Sequence, residues 1–205
     1  PQDARSTGAR GRRVRRVTDA ASRWDRRYGA LESPTAGEPA PFLAAVAHHL
    51  PTAGTALDVG GGLGANARWL ARRGLQTTLL DVSEVGLDLA RSLDDGADLD
   101  YLHRDVEADG LPVDRRWDVV LFHLFYDRAI VETAADRLVP GGVLLVCQPT
   151  EVNLERHPKP SRRFLLAIGE ATSIAEASGL EPLEVSEAWR ESGRHDAWLV
   201  LRKPT

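Results

Sequence analysis

Residues 56–70 decide the fold, and they read Ala-Leu-Asp-Val-Gly-Gly-Gly-Leu-Gly-Ala-Asn-Ala-Arg-Trp-Leu. The apolar run that ends at Val59 is typical of a buried strand. Glycines at residues 60–64 predict a turn, and the periodicity of residues 65–73 predicts a helix that Gly74 ends. Glycines let a ligand approach the backbone closely, and a helix start presents unpaired N–H groups. The stretch therefore predicts a ligand site between a strand and a helix.

Two cofactors fit this glycine turn. Gly60, Gly62 and Ala65 match the dinucleotide pattern G-x-G-x-x-G/A, which is weak on its own. Asp58 lies two residues before the first glycine, where its carboxylate would attract an ammonium group and repel a pyrophosphate. This favours S-adenosylmethionine, whose amino-acid end carries an ammonium group, over NAD. A turn that only packs a helix onto a sheet is the third alternative.

The composition is that of one ordinary globular domain. The chain has 205 residues, of which 42% are hydrophobic, and a net charge of −4, which argues against a nucleic-acid binder. The one cysteine, Cys147, cannot form a disulfide within the chain and fits a reducing, cytoplasmic location. No apolar run approaches the ~20 residues of a membrane span. The six arginines in residues 1–16 predict a disordered basic arm, followed by a single domain over 17–205.

Strands and helices are predicted to alternate along this domain. Apolar runs predict seven strands, over residues 55–59, 76–82, 99–106, 117–125, 143–148, 180–189 and 195–203. Most of them are followed by a predicted helix, but the last two have none between them and must be antiparallel neighbours. The sequence therefore predicts an α/β fold with a doubly wound, mostly parallel seven-stranded sheet and a C-terminal antiparallel hairpin.

Acidic residues mark the ends of three of these strands. Asp58 ends the first, Asp81 the second and Asp105 the third. Ligands of doubly wound sheets bind beyond the carboxyl ends of the strands. There Asp81 can accept hydrogen bonds from ribose hydroxyls, and Asp105 can meet an adenine amino group. Asp81 alone also fits NAD, but the three acids together favour an S-adenosylmethionine enzyme.

With these motifs the chain resembles the class I S-adenosylmethionine-dependent methyltransferases, and among them the small tellurite-resistance (TehB-like) group. The similarity runs from about residue 21 to residue 203. The motifs that carry it are Trp24-Asp25-Arg26-Arg27-Tyr28, residues 57–66, Leu80-Asp81-Val82-Ser83, Trp117-Asp118-Val119-Val120-Leu121, Tyr126-Asp127-Arg128 and Leu138-Val139-Pro140-Gly141-Gly142. Relatives often carry an arginine where this chain has Ala65, which argues against tellurite as the substrate.

The resemblance implies an S-adenosylmethionine site closed by an N-terminal lid helix that carries Trp24 and Tyr28. The other residues expected at the cofactor are Asp58, Gly60, Gly61, Gly62, Asn66, Asp81, Val82, Asp105, Val106, the backbone at Phe122, and His123. His123 and Tyr126 are the candidate catalytic residues, with a satisfied core histidine and a packing tyrosine as the alternatives. Arg162 and Arg163 are candidates for binding an anionic substrate, or part of a solvated loop.

The expected activity is methyl transfer by in-line displacement to a small-molecule nucleophile with a sulfur, oxygen, nitrogen or oxyanion acceptor. A nicotinamide-dependent oxidoreductase and a catalytically silent S-adenosylmethionine-binding module are the alternatives. No metal site and no nucleic-acid or membrane partner is expected, and the chain is expected to be a monomer or a homodimer.

Overall fold

One seven-stranded sheet forms the centre of the protein, in a computed structural model that describes residues 19–93 and 95–205. The strands are β1 (Gly54–Val59), β2 (Leu75–Asp81), β3 (Leu99–His103), β4 (Trp117–His123), β5 (Leu138–Pro149), β6 (Glu181–Trp189) and β7 (His195–Arg202). Their order across the sheet is β3-β2-β1-β4-β5-β7-β6. Strands β1 to β5 are parallel, and β7 runs antiparallel to both β5 and β6. The predicted fold class is confirmed.

Helices surround this sheet. They are α1 (Asp19–Gly29), α2 (Pro41–Ala45), α3 (Ala65–Arg72), α4 (Glu84–Ser92), α5 (Val106–Asp109), α6 (Arg128–Thr133) and α7 (Glu170–Ala177). Short 3-10 turns over Ala47–His49 and Ala134–Arg137 continue α2 and α6. The sequence predicts one longer helix at each place, over residues 42–50 and 127–138. Two more such turns, Glu151–Glu155 and Arg162–Phe164, lie in the proline-rich connection after β5.

Both faces of the sheet are covered, as the alternating side chains of β4 show. Val120 and Phe122 belong to one apolar core, whereas Val119 and Leu121 belong to another. Successive side chains of a strand point to opposite faces, so two cores on one strand require covering layers on both sides. The nearly continuous apolar run of this strand follows from that burial.

The predicted bounds of the third, fourth and fifth strands are wrong; the fourth ends at His123 and not at Phe125. The third strand ends at His103, because Asp105 begins α5 by accepting hydrogen bonds from its first N–H groups. The fifth strand begins at Leu138 rather than at Val143. Its early part is paired because the N–H of Gly141 donates to the carbonyl of Lys203 at 2.9 Å, although Pro140 next to it lacks a donor.

The predicted basic arm over residues 1–16 lies outside the described residues. None of the described helices has the length and apolar character needed to cross a membrane. The single domain over 17–205 and its lid stay predictions.

Candidate active site

The glycine turn lies between β1 and α3, at the carboxyl edge of the sheet. The N–H groups of Gly60 and Gly61 both donate to the carbonyl of Leu80, at 2.8 and 3.1 Å, which ties the turn to β2. Gly62 has a φ of +57°. A Cβ atom there would stand 2.7 Å from the hydroxyl of Tyr28. Both the backbone conformation and the close contact therefore require glycine at this position.

Asp81 ends β2 and fixes this turn. One carboxylate oxygen accepts from the N–H of Gly62 and the other from the N–H of Ser83, each at 2.9 Å. Burial raises the pKa of Asp81, and these backbone hydrogen bonds oppose the shift. Each carboxylate oxygen has a second lone pair, so the side chain can still accept hydroxyl groups from a ligand.

Asp58 lies beneath the turn rather than beside a ligand. Its side chain is 1% exposed; the N–H of Ala67 lies close enough to lower its pKa slightly, but neither oxygen has a partner at full hydrogen-bond geometry among the described residues. Burial, and then the charge of Asp81, raise the pKa of Asp58 to about 7. A Cβ atom on Gly61 would collide with the Asp58 carboxylate. The structure therefore does not support direct contact between Asp58 and a ligand's ammonium group.

Asp105 is a helix cap that also faces the ligand site. One of its oxygens accepts from the N–H groups of Glu107 and Ala108, at 3.0 and 3.2 Å. The predicted position at a strand end is therefore wrong, although Asp105 and its neighbour Val106 line the cavity described below.

Helix α1 lies over the N-terminal end of α4. A carboxylate oxygen of Asp25 accepts from the hydroxyl of Ser83 at 2.6 Å and from the N–H of Val85 at 3.3 Å. The rings of Trp24 and Tyr28 stack with their centroids 5.7 Å apart. One helix face thus presents both rings, as their spacing of four residues predicts.

A first cavity of about 240 Å³ opens between this helix and the glycine turn. It brings together most of the predicted cofactor residues, namely Trp24, Tyr28, Gly60, Gly61, Gly62, Asn66, Asp81, Val82, Asp105, Val106 and His123. Asp58 and Phe122 are absent from its lining, and the Phe122 side chain lies in the core. Their expected role at the cofactor stays a prediction without support from this geometry.

His123 ends β4 and carries its proton on Nε2. The Oδ1 atom of Asn66 accepts from the N–H of Ala40 at 2.9 Å, which leaves Nδ2 to face Nδ1 of His123 at 3.2 Å. Since Nδ2 is a donor, we assign Nδ1 as the acceptor and Nε2 as the protonated nitrogen. Burial, and then the charge of Arg194, lower the pKa of His123 to about 4. A neutral imidazole in this tautomer donates to a ligand and has no lone pair free to act as a base.

A second cavity of about 420 Å³ meets the first at His123, which lines both. Phe42, Cys147 and Trp198 contribute apolar wall, and Arg190 contributes a cation. The two cavities therefore share His123 as a lining residue.

Tyr126 lines neither cavity. Its hydroxyl donates to Glu170 at 2.6 Å, and Nη1 of Arg128 donates to the same oxygen at 3.1 Å. Burial, and then the hydrogen bond to Glu170, raise the pKa of Tyr126 above its usual range. A hydroxyl held in this way fixes α7 against the end of β4, so the geometry gives Tyr126 no catalytic contact.

The predicted anion-binding pair is also displaced from the cavities. Arg162 forms an ion pair with Glu151, and the guanidinium of Arg163 lies 4.4 Å from the ring centroid of Phe164. Neither arginine lines either cavity. Among the described residues, no three His, Cys, Asp or Glu side chains gather closely enough to hold a metal ion.

Some cavity residues lie outside every prediction. Leu124 and Phe125 line the first cavity, because the predicted fourth strand ends at His123 instead of continuing to Phe125. Leu124 has a φ of +57°, which is strained for a leucine. Leucine is not a residue type that favours a positive φ, so the sequence does not predict this conformation.

Parts of this chain are similar to proteins of known type. Residues 56–142 match the family model described as a methyltransferase domain. The central part of the chain is therefore similar to a methyltransferase domain. A curated relative, the ubiquinone biosynthesis O-methyltransferase of Azotobacter vinelandii, is 31% identical over 131 residues, which are 60% of this chain and 53% of that protein. The chain spans about half the length, or less, of the curated relatives it matches.

Solved structures share the methyltransferase fold. TehB from Haemophilus influenzae has a TM-score of 0.64 at 19% identity, over 79% of this chain and 61% of that one. The N-methyltransferase NodS from Bradyrhizobium japonicum, in complex with S-adenosylhomocysteine, also has a TM-score of 0.64, at 17% identity, over 92% of this chain and 100% of that one. Identities this low show the fold alone.

Proposed function

We propose that this methyltransferase transfers the methyl group of S-adenosylmethionine to a hydroxyl oxygen of a small molecule. The observation that carries the proposal is the position of His123 on the wall of both cavities. Methyl transfer needs a donor and an acceptor in line and in contact, and alignment alone can supply about 7–11 kcal/mol of the barrier. Two cavities that meet at one side chain provide such a place of contact.

The first cavity fits S-adenosylmethionine. The glycine turn offers backbone that side chains do not shield, and Asp81 offers acceptors for ribose hydroxyls. Three carboxylates and two guanidinium groups line the same space, contributed by Asp81, Asp105, Glu107, Arg23 and Arg104. This mixture of charges suits a zwitterion with an ammonium, a sulfonium and a carboxylate better than it suits a pyrophosphate. The bound S-adenosylhomocysteine in NodS supports the same cofactor.

An oxygen acceptor fits the tautomer of His123. Its Nε2–H can donate to one lone pair of a hydroxyl oxygen, which leaves the second lone pair of that oxygen for the methyl group. The curated relatives that match this chain are named as O-methyltransferases, which supports the same acceptor.

The residues act by binding and orientation. When bound, S-adenosylmethionine supplies an electrophilic methyl group, and the electron pair of the broken carbon–sulfur bond remains on its sulfur. His123 holds the acceptor oxygen through Nε2, while the proton of the hydroxyl leaves to solvent. Helix α1 covers the first cavity with Trp24 and Tyr28 and limits the access of water.

The test is calorimetry followed by a transfer assay. We expect S-adenosylhomocysteine to bind and NAD not to bind. Asp81→Asn should weaken S-adenosylhomocysteine about ten- to hundredfold, since hydrogen bonds to a charged group contribute about 1.5–3 kcal/mol. Asp88→Asn is the matched control, because Asp88 is exposed on α4 and pairs with Arg91. Labelled methyl should then appear on hydroxyl compounds of a small-molecule panel.

Binding of NAD instead of S-adenosylhomocysteine would overturn the cofactor assignment. Binding of S-adenosylhomocysteine without transfer to any small molecule would support a silent binding module instead.

We further propose a small-molecule acceptor, no nucleic-acid partner, a cytoplasmic location and a monomer or homodimer. The size of the second cavity and the net charge of −4 support the first two. The single buried cysteine supports the cytoplasmic location, because it forms no disulfide within the chain that would need an oxidising compartment. Size-exclusion chromatography with light scattering tests the fourth, and a trimer or larger assembly would contradict it.

A further inference from the structure

We propose that the acceptor is a small organic acid whose carboxylate binds Arg190 and Arg194 while its hydroxyl meets His123. This inference rests on the proposed function and adds the chemical class of the substrate. It is carried by the second cavity, which is lined by two arginines of one hairpin and by the histidine that both cavities share.

The turn between β6 and β7 brings the two arginines together. The N–H of Arg190 donates to the carbonyl of Arg194 at 2.8 Å, and the N–H of Gly193 donates to the carbonyl of Arg190 at 2.9 Å. These two hydrogen bonds close a tight turn, so the residues on either side of it are fixed relative to each other. Both arginine side chains line the same cavity.

Arg190 is a partly buried cation without a counter-ion. Its Nη2 donates to the hydroxyl of Ser186 at 2.9 Å and to the carbonyl of Asp196 at 3.4 Å. Its guanidinium carbon lies 3.7 Å from the ring centroid of Trp198, which holds the group in place. Within residues 19–93 and 95–205, no carboxylate forms an ion pair with it, and its Nη1 makes no hydrogen bond. A guanidinium that is fixed in position and keeps a free N–H donor can bind the carboxylate of a ligand.

Arg194 supplies the second positive charge. Its Nη2 pairs with Asp196 at 3.2 Å, and its Nη1 makes no hydrogen bond to the described residues. After burial, the charge of Arg194 is the cause that lowers the pKa of His123. Both arginines also oppose the rise that burial causes in the pKa of Cys147, which lines the same cavity. Their field therefore reaches across the space that the acceptor would occupy.

Two acidic residues line this cavity as well, and they define the competing possibility. Asp196 is 2% exposed and is already paired with Arg194, whereas Glu191 is exposed. If these carboxylates dominated recognition, the cavity would bind an amine. Arg190 favours the acid, because a bound carboxylate then neutralises a partly buried charge that the described residues of the cavity leave unpaired.

The remaining wall is apolar and suits a ring. Pro41, Phe42, Cys147 and Trp198 line it, and Phe42 and Trp198 are in ring contact at 5.2 Å. A cavity of about 420 Å³ accommodates a small molecule. An aromatic hydroxy acid combines the three features that the cavity recognises, namely a carboxylate, an apolar body and a hydroxyl.

The experiment compares three probes that share one ring and differ in the charge of one substituent: dihydroxybenzoate, dihydroxybenzamide and dihydroxybenzylamine. Each is titrated by calorimetry into protein saturated with S-adenosylhomocysteine, so that no turnover is needed. We expect the acid to bind at least about tenfold more tightly than the amide, and the amine to bind most weakly. Added salt should reduce the preference for the acid.

Variants of Arg190 test whether this residue causes the preference for the acid over the amide. Arg190→Gln should weaken the acid about ten- to hundredfold and leave the amide and S-adenosylhomocysteine unchanged. Arg190→Lys should recover part of the loss, because it keeps the charge and loses the planar fork. Arg72→Gln is the matched control, since Arg72 is exposed at the end of α3, pairs with Asp95 and lines neither cavity.

Equal binding of acid and amide, tighter binding of the amine, or a preference that survives Arg190→Gln would each overturn the proposal. So would retained S-adenosylhomocysteine binding with no affinity for any of the three probes, which leaves the methyltransferase assignment intact. Loss of S-adenosylhomocysteine binding by the unmodified protein would instead count against the proposed function.

Discussion

His123 is a hydrogen-bond donor because one amide group determines where its proton lies. Asn66 is oriented by the N–H of Ala40 and therefore presents its own NH₂ group to Nδ1 of the imidazole. We expect His123→Ala to lower kcat/KM about tenfold, the value of one ordinary hydrogen bond. The shape of the pH–rate profile should not change. The pKa of His123 is lowered to about 4, so the imidazole is already neutral throughout the usual assay range.

A rise in rate near the ordinary histidine pKa of 6.5 that disappears in His123→Ala would contradict this assignment. Asn66→Asp is the informative comparison. An aspartate there would accept from Nδ1–H, move the lone pair to Nε2 and raise the pKa of His123. We therefore expect this variant, unlike the unmodified protein, to show a histidine-like step in its pH profile.

Asp58 makes the stability of the protein depend on pH. Its pKa is about 7 in the folded protein against 3.8 for an unperturbed aspartate, so the folded state holds the proton more tightly than the unfolded chain. The associated stability is fully present below pH 3.8 and is lost as the pH rises to about 7. Asp58→Asn should remove this dependence. Relative to the unmodified protein, we expect the variant's free energy of unfolding to gain on the order of a few kcal/mol across that interval.

Denaturant unfolding of both proteins at several pH values measures this difference. Asp88→Asn, at an exposed position, serves as the control and should give a constant difference. A constant difference for Asp58→Asn would mean that the carboxylate titrates normally in the folded protein.

Helix α1 is held to the domain by the hydrogen bonds of Asp25 and by the ring of Tyr28, which lies against Gly62 and Gly86, without a buried core of its own. No residue of α1 is buried, and its hydrogen bonds to α4 pass through Asp25. Elements with few buried apolar contacts open at low free energy. We therefore expect the amides of α1 to exchange hydrogen rapidly in the free protein and slowly once S-adenosylhomocysteine is bound. Asp25→Ala should speed this exchange and weaken S-adenosylhomocysteine about tenfold, with an unchanged melting temperature.

Hydrogen exchange followed by mass spectrometry resolves α1 from the sheet. Asp19→Ala, on the same helix, is the matched control for helix stability. Slow exchange of α1 in the free protein would show that it is a fixed wall and not a lid.

Binding at the first cavity engages several elements, since β2, β4, α1 and the glycine turn after β1 all contribute to its lining. A ligand that binds only the folded state stabilises it by about 2.7 kcal/mol at a hundredfold excess over Kd. For a chain of this size, S-adenosylhomocysteine should raise Tm by roughly 5–10 °C in one cooperative transition. NAD at the same concentration should leave Tm unchanged, and an equal rise with NAD would contradict the charge argument for the cofactor. Scanning calorimetry makes the measurement.

The sequence predicts what depends on neighbouring residues and misses what depends on packing. The glycine turn, the stacked faces of Trp24 and Tyr28, and the closing hairpin all follow from local spacing, and the structure confirms them. Arg190 and Arg194 were missed as cavity residues. Their place beside His123 depends on the insertion of β7 between β5 and β6, which no local pattern specifies.

Asp58 shows that a local spacing can also predict a contact that the geometry does not support. Its spacing from the glycines is what predicts a contact with the cofactor, yet the same spacing places the side chain beneath the turn. The spacing of residues in a sequence does not determine the direction in which the carboxylate of Asp58 points.

The Asn66 amide has one more consequence, which concerns communication between ligands. It bonds on one side to Ala40, which lines the second cavity, and on the other to His123, which lines both. An acceptor that shifts Ala40 would rotate the amide and so alter the imidazole that the donor molecule meets. Thermodynamic linkage makes such an influence mutual: each ligand changes the affinity of the other by the same factor. The side chain of Asn66 would then couple the affinities of the donor and the acceptor.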